Sequence, residues 1–219
     1  MFVQKAGVRA LVVSAGALTT LALPLTFPPG DGPTGWDTAL ADAVAAGPPS
    51  ALDRWLVAPS DAPVVLLALV LATAWFAWQR RWLAAVTMIV VPELALLLNT
   101  WVLKPLFDRP LHDYLAYPSG HTVHLVAVAC TFVLLSDSRP ARQVVTVVAV
   151  VALIAAALGQ VGMGYHFLTD VIGGAAAGLG IAVSSCTAVE LLAGKHAARG
   201  PAARRDTPTE RPGDDPQER

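Results

Sequence analysis

Most of the histidines lie in two short polar segments of a largely apolar chain. Four of the five histidines lie in or beside residues 104–121 and 159–170. Imidazole and carboxylate side chains, with cations close by, are the groups that transfer protons and phosphoryl groups. The two segments therefore predict one reaction site if the fold brings them together.

The spacing within these segments indicates phosphoryl chemistry. His166 and Asp170 are four residues apart at the start of a helix, so the carboxylate can keep one imidazole nitrogen protonated. The other nitrogen is then a free nucleophile or base. Pro-Ser-Gly-His at 118–121 opens another helix, whose free N–H groups and dipole favour an anion. Lys104 and Arg109 add positive charge for phosphate oxygens.

The rest of the chain predicts a membrane domain that positions these residues. Of its 219 residues, 55% are hydrophobic and only 14% are charged, so the bilayer is the expected solvent. Apolar runs of the length that spans a bilayer lie at about 9–27, 63–79, 82–103, 121–136, 143–161 and 170–193. We therefore expect an all-α, polytopic membrane protein with about six transmembrane helices in a bundle over 1–199. Residues 200–219 are expected to form a disordered cytoplasmic tail.

Positive residues predict the orientation in the cell membrane, because they are enriched in short cytoplasmic loops. They occur on alternate connections of the six-span arrangement: Lys5 and Arg9, Arg80 and Arg81, Arg139 and Arg142, and Lys195 to Arg205. Both termini are then cytoplasmic, and the two polar segments are extracytoplasmic. We interpret the first run as a retained helix rather than a secretory signal. Residues 28–62 are interpreted as an external loop with an interfacial turn.

In this order and spacing, the polar residues resemble the three signatures of the type 2 phosphatidic acid phosphatase family. The family signatures are Lys, six residues, Arg-Pro; then Pro-Ser-Gly-His; then Ser-Arg, five residues, His, three residues, Asp. The resemblance covers residues 104–170 and implies that His166 attacks phosphorus while Asp170 orients it. It also implies that His121 protonates the departing oxygen. The same resemblance implies that the phosphate is bound by three residues: Lys104, Ser119 and the N–H group of Gly120.

Two departures from these signatures remove arginines that would grip phosphate. The first-signature Arg-Pro would fall at Leu111 and His112, and the third-signature Arg would fall at Gln160. An Arg-Pro pair does occur at 109–110, two residues before the signature position. Arg109 or His112 is therefore a candidate to reach the phosphate by another route. Gln160 is a candidate neutral hydrogen-bond donor to it.

The resulting functional hypothesis is a lipid phosphatase with a histidine nucleophile and neither metal nor cofactor. Polyprenyl and phosphatidate-type phosphates or pyrophosphates are the implied substrates, and membrane lipids are the expected surroundings. Near-neutral charge argues against nucleic acid as a partner. Open alternatives are a phosphoryl transferase, a non-catalytic lipid-phosphate binder, a serine hydrolase using Ser119, and a metal site formed by His112 with the other histidines.

Several other residues have a structural interpretation. Cys130 and Cys186 are expected in the apolar core, and His124 is expected to form a core hydrogen bond. Glu93 and Asn99 should face the bundle interior, because polar groups are costly in lipid. Small residues at 173–180 predict close helix packing, with homodimerisation through the same face as the alternative.

Overall fold

The computed structural model describes residues 2–44 and 50–198, and this part of the chain is an all-α bundle. The helices in chain order are α1 (Phe2–Ala22), α2 (Gly35–Val44), α3 (Ala51–Val57), α4 (Ala62–Trp78), α5 (Trp82–Leu98), α6 (Lys104–Phe107), α7 (Gly120–Leu135), α8 (Arg139–Gly162) and α9 (Leu168–Ala198). Strands β1 (Pro110–Leu111) and β2 (Tyr114–Leu115) form a small antiparallel hairpin. The predicted tail at 200–219 lies outside the described residues.

The predicted membrane helices are present, with one that is shorter than a full span. Within residues 2–44 and 50–198, five helical segments are long and apolar enough to cross a bilayer, and α7 is a sixth, shorter apolar helix. Its 16 residues extend about 24 Å, less than the hydrocarbon thickness. The helix begins at Gly120, after the polar residues 104–119 that contain α6 and the hairpin.

Helices α5 and α7 contribute to both clusters of buried apolar side chains in the bundle. One cluster joins α4, α5 and α7 around Phe76 and Met88, and another joins α5, α7 and α9 around Val123 and Cys186. In lipid such contacts stabilise the fold through close packing rather than through removal of apolar surface from water. The core position predicted for Cys186 is confirmed, and Cys130 packs against the same cluster.

The small residues of α9 pack against neighbouring helices of the same chain. A Cβ atom on Gly174 would lie 2.7 Å from the carbonyl oxygen of Ser119, and one on Gly178 would lie 2.7 Å from that of Val123. On α1, a Cβ atom on Gly16 would lie 2.7 Å from the carbonyl oxygen of Ala176. The predicted close packing is confirmed, and this face of α9 is covered within the monomer.

Residues 28–62, predicted to be an external loop and here called the external segment, include more helix than that prediction. They contain α2 and α3, and α3 continues through a 3₁₀ turn into α4. Ser50 and Asp53 form a capping box that begins α3. Helix α3 packs on the end of α8, where a Cβ atom on Gly159 would lie 2.4 Å from the backbone nitrogen of Val57. This packing holds α3 of the external segment against the C-terminal end of α8.

Candidate active site

The two histidines of the polar segments face each other at the end of the bundle where α7 begins. His121 is in the first turn of α7, and His166 lies directly before α9. Their ring centroids are 6.1 Å apart in an edge-to-face arrangement. The ring of Tyr114, on β2, lies 6.0 Å from that of His166 on another side. The fold therefore brings together the two segments that the sequence separates.

Asp170 lies beside His166 and is fixed there by hydrogen bonds from two other groups. Its Oδ2 atom lies 3.5 Å from Nδ1 of His166 and accepts a hydrogen bond of 2.9 Å from the N–H group of Phe167. Its Oδ1 atom accepts one of 2.7 Å from Arg109. The Phe167 contact is half of a capping box at the start of α9, so helix formation itself orients the carboxylate. Hydrogen bonds between catalytic groups commonly shorten when substrate binds.

The Pro-Ser-Gly-His turn offers free backbone donors at the start of α7. The N–H group of Ser119 donates to the carbonyl of Asp170 at 3.0 Å, and the Asn99 amide donates to the carbonyl of Pro118 at 3.3 Å. Among the described residues, no acceptor takes the N–H groups of Gly120 and His121. These two donors, with the positive end of the helix dipole, form an anion-binding position.

The predicted roles of Ser119 and Gln160 at the phosphate differ from what the structure shows. Both side chains are fully buried. The hydroxyl of Ser119 donates to the Gln160 carbonyl oxygen at 2.8 Å, and the Gln160 amide donates at 3.4 Å to the hydroxyls of Ser60 and Thr122. Both donors are therefore used within the protein. Gln160 holds the turn that presents the free N–H groups instead of contacting phosphate.

Arg109 also occupies a different place from the predicted one. It is completely buried and lies between two aromatic rings, 3.7 Å from that of Phe27 and 4.5 Å from that of Phe167. The five N–H groups of its guanidinium all have acceptors within the protein: Asp31 O, Gly32 O, Asp37 Oδ2, Thr169 Oγ1 and Asp170 Oδ1. A side chain without a free donor does not grip phosphate, so Arg109 supports Asp170 instead.

Lys104 and Tyr114 form one wall of the site. The Lys104 ammonium donates to the carbonyl of Leu115 and lies 5.9 Å from the centre of the Tyr114 ring. The Tyr114 hydroxyl donates to the carbonyl of Tyr165. Burial, followed by the charge of Asp170, raises the pKa of Tyr114, so this phenol remains a donor at neutral pH. Two further donors of the Lys104 ammonium remain for a ligand.

His112 does not point towards the anion-binding position. Its Nε2 atom lies 3.2 Å from the carbonyl oxygen of Gly164, and its side chain is on the surface of the hairpin turn. Its contact joins the two polar segments, which is a different role from the predicted route to phosphate. Within residues 2–44 and 50–198, no three His, Cys, Asp or Glu side chains are grouped as metal ligands.

Of the two polar residues predicted to face the bundle interior, Asn99 does so and Glu93 is half-buried. Asn99 is completely buried, and His124 Nε2 lies 3.2 Å from Glu93 Oε1 across α5 and α7. This pair is one turn further into the membrane than His121. The contact does not have hydrogen-bond geometry, so the predicted core hydrogen bond of His124 is not observed among the described residues.

Three residues of the site region could not be identified from their spacing. Tyr117 donates a hydrogen bond of 2.6 Å to the carbonyl of Thr20, which joins the Pro-Ser-Gly-His turn to α1. Asp37 and Thr169 contact Arg109. Asp37 is more than 60 positions from the signatures, and a lone acidic residue in a Pro- and Gly-rich segment carries no motif. Only the tertiary contacts reveal its partners.

Comparison with known proteins is consistent with this geometry. The model of the PAP2 superfamily matches residues 99–191, which include both polar segments. A crystal structure of a transmembrane PAP2-type phosphatidylglycerolphosphate phosphatase from Bacillus subtilis matches with a TM-score of 0.66 and 22% identity, over 84% of this chain and 96% of that chain. No curated protein matches the chain significantly in sequence. The predicted family resemblance is confirmed, and the structural match shows a common fold.

Proposed function

From the premise that residues 99–191 belong to the PAP2 superfamily, we propose that this protein is a membrane lipid phosphatase with a histidine nucleophile. The observation that carries the proposal is the approach of His121 and His166, at 6.1 Å between ring centres, beside the free N–H groups at the start of α7. A nucleophile, an acid and anion-binding donors within one site are the parts that phosphoryl transfer needs.

In the first step, Nε2 of His166 attacks the phosphorus atom of the lipid phosphate. The bond between phosphorus and the lipid oxygen breaks, and protonated His121 gives its proton to that oxygen. The phosphoryl group is then bonded to His166, whose Nδ1–H faces the Asp170 carboxylate. Lys104 and the N–H groups of Gly120 and His121 stabilise the phosphoryl oxygens, where negative charge develops.

In the second step, water attacks phosphorus and the bond to nitrogen breaks. Neutral His121 accepts the proton of the attacking water, which restores its acid form for the next turnover. The products are inorganic phosphate, the dephosphorylated lipid and unmodified His166. All these steps use side chains and backbone groups of the chain itself, which is the basis for proposing that the reaction proceeds without a metal ion.

The substrate is a phosphate or pyrophosphate monoester carried by a membrane lipid of polyprenyl or phosphatidate type. A polar site at the end of apolar helices suits a headgroup whose chain stays in the bilayer. Phosphatidylglycerolphosphate, named for the structural relative, belongs in the same chemical class. The arrangement of Lys and Arg in the loops supports an extracytoplasmic site with both termini in the cytoplasm.

Non-catalytic binding of a lipid phosphate is the second candidate. The observation that favours it is the use of all Arg109 N–H groups and of the Gln160 amide within the protein. Charged donors form hydrogen bonds roughly twice as strong as neutral ones. With the family arginines replaced at two positions, phosphate is held chiefly by Lys104 and backbone N–H groups.

Phosphate release from lipid substrates tests the proposal. The purified protein in detergent is incubated with a panel of lipid mono- and diphosphates in the presence of chelator, alongside His166→Ala and the control His112→Ala. We expect release by the wild type and by His112→Ala, and loss of release by at least about 1,000-fold in His166→Ala. The panel includes an alcohol acceptor, because transfer to it in place of water would identify a phosphoryl transferase.

Three other outcomes would contradict the proposed mechanism. Binding of lipid phosphate without release by the wild type would favour the non-catalytic function. Release that persists in His166→Ala but disappears in Ser119→Ala would point to a serine nucleophile. Release that requires a metal ion would indicate that the histidines of the two segments are metal ligands.

A further inference from the structure

Asp37 is a completely buried carboxylate in the external segment, outside the region that the superfamily model matches. It lies in the first turn of α2, with 1% of its surface exposed. A carboxylate in such a position is unfavourable unless it is fully hydrogen-bonded and paired with positive charge. The hydrogen-bond partners of Asp37 therefore identify the residues that this part of the chain positions.

The contacts of Asp37 converge on the start of α9. Its Oδ1 atom accepts a hydrogen bond of 2.8 Å from the N–H group of Thr169, one of the free donors of that helix. Its Oδ2 atom accepts bonds from the Thr169 hydroxyl at 3.0 Å and from the N–H and hydroxyl groups of Thr34 at 2.8 and 2.9 Å. Burial would raise the pKa of Asp37, but these bonds hold it below its ordinary value. Asp37 is therefore ionised at neutral pH.

A chain of hydrogen bonds connects Asp37 to the active-site carboxylate. The Thr169 hydroxyl donates to Asp37 and accepts a bond of 2.7 Å from Arg109, which donates another of 2.7 Å to Asp170. Arg109 also lies 3.4 Å from Asp37 directly. One guanidinium is thus shared by two carboxylates, and the group carries a net negative charge.

We propose that Asp37 positions Asp170 for its contact with His166, and that the external segment is in this way part of the active site. This inference rests on the proposed function. Asp37 acts on Asp170 through Arg109 and does not contact the substrate. By sharing the guanidinium, Asp37 leaves negative charge on Asp170 to stabilise the positive imidazole of the phosphohistidine. By binding the N–H group of Thr169, it also fixes the turn of α9 that carries Asp170.

The test compares two aspartate-to-asparagine substitutions in the same helix. Asp42 is exposed on α2, so Asp42→Asn is a matched control for Asp37→Asn. We expect Asp37→Asn to lower kcat about 100-fold, the effect of a displacement near 1 Å in a catalytic group. Its KM should change by less than about twofold, because Lys104 and the free N–H groups are untouched. Asp42→Asn should retain both constants.

A second pair of variants separates positioning from a loss of folding. Thr169→Val removes the hydroxyl between Arg109 and Asp37 without changing the side-chain shape, and Thr169→Ser keeps it. We expect kcat to fall in Thr169→Val and to be restored in Thr169→Ser, with both variants monodisperse in detergent. An Asp37→Asn variant as active as Asp42→Asn, or equal kcat values for Val and Ser at 169, would overturn the inference.

The experiment also distinguishes failure of the inference from failure of the proposed function. Wild-type turnover that depends on His166 but not on Asp37 overturns the inference alone. Absence of turnover in the wild type overturns the proposed function. Amide hydrogen exchange at Thr169 then decides the structural part: unchanged exchange in Asp37→Asn would overturn the positioning role as well.

Discussion

Individual hydrogen-bond donors decide how this site binds an anion. The guanidinium of Arg109 and the amide of Gln160 are both committed to partners within the protein, whereas backbone N–H groups of α7 are free. Lys104 retains donors beyond its bond to Leu115. In the proposed function, one ammonium and the start of a helix therefore bind the phosphate, and Arg109 stabilises the carboxylate beside His166.

Gln160 is expected to stabilise the protein through the buried turn at Ser119. Replacement Gln160→Leu would leave the hydroxyls of Ser119 and Thr122 without this partner, which costs about 1–3 kcal/mol for a buried polar group. The free energy of unfolding, measured by denaturation in mixed micelles, should fall by that amount. Gln143→Leu, at an exposed position of the same helix, is the control. Equal stability of the two variants would contradict the hydrogen-bonding role.

Asp37 is expected to make the stability of the protein depend on pH in acid. Its pKa is lower in the folded protein than its ordinary value of 3.8, so ionised Asp37 stabilises the folded state above that pH. The stabilisation is lost as the pH falls through the folded pKa. The difference in unfolding free energy between wild type and Asp37→Asn should stay constant from pH 7 to about 5 and shrink below 3.8. A difference that grows in acid would contradict this assignment.

At the scale of elements, close contact between α9 and α7 sets the position of the Pro-Ser-Gly-His turn. Gly174 lies against the backbone of Ser119, and the N–H group of Ser119 donates to the carbonyl of Asp170. Helix α7, which carries His121, and helix α9, which begins two residues after His166, are therefore joined by backbone contacts near their first turns. Side chains larger than hydrogen at this point would separate them.

Gly174→Ala should both destabilise the protein and reduce its turnover. The added Cβ atom would lie 2.7 Å from the Ser119 carbonyl oxygen, so the backbone must shift, at a cost of about 1–3 kcal/mol. Gly194→Ala, also in α9 but with no atom within 4 Å, should instead stabilise the helix by about 0.5–1 kcal/mol. Thermal unfolding and phosphate release of both variants test this. A Gly174→Ala protein that is as stable and active as Gly194→Ala would show that the contact is unimportant.

The elements that sequence could predict are those with a periodic or compositional signal. Apolar runs predicted all six long helices, since the bilayer requires about 20 apolar residues per span. The helices at Gly35–Val44 and Ala51–Val57 were missed, because short helices at a membrane surface lack such a run. Their positions depend on tertiary contacts, such as that of α3 with the end of α8.

The candidate site likewise has a part that local sequence predicts and a part that depends on tertiary contacts. Signature spacing predicted that His121, His166 and Asp170 would come together, and the structure places them together. The predicted phosphate contacts of Arg109 and Gln160 depended on side-chain direction, which local spacing does not determine. Their actual partners, including Asp37 and Thr122, are tens of residues away in sequence.

At the scale of the whole molecule, the distribution of charge predicts which face of the membrane the site occupies. Arg81 and Asp137 form an ion pair of 3.1 Å at one end of the bundle, and His121 and His166 lie at the other. The positive loops favour the cytoplasm for the first end. The site is then accessible to lipids of the outer leaflet.

Cysteine labelling in intact cells tests this orientation. In a protein with Cys130 and Cys186 replaced by alanine, Asp42→Cys should react with a membrane-impermeant maleimide from outside. Arg142→Cys, exposed at the start of α8, should react only after permeabilisation. The reverse pattern would move the site to the cytoplasmic face and change the pool of lipid substrates.

The covalent intermediate is the most direct test of the central claim that His166 is the nucleophile. The wild type is mixed with a lipid phosphate labelled with ³²P, quenched in alkali and digested, and the labelled peptide is identified by mass spectrometry. We predict a label that is stable in alkali, labile in acid and bonded to His166, with His166→Asn unlabelled and Asp37→Asn labelled more slowly. A label on any other residue, or steady phosphate release with no labelled protein at any quench time, would contradict the account.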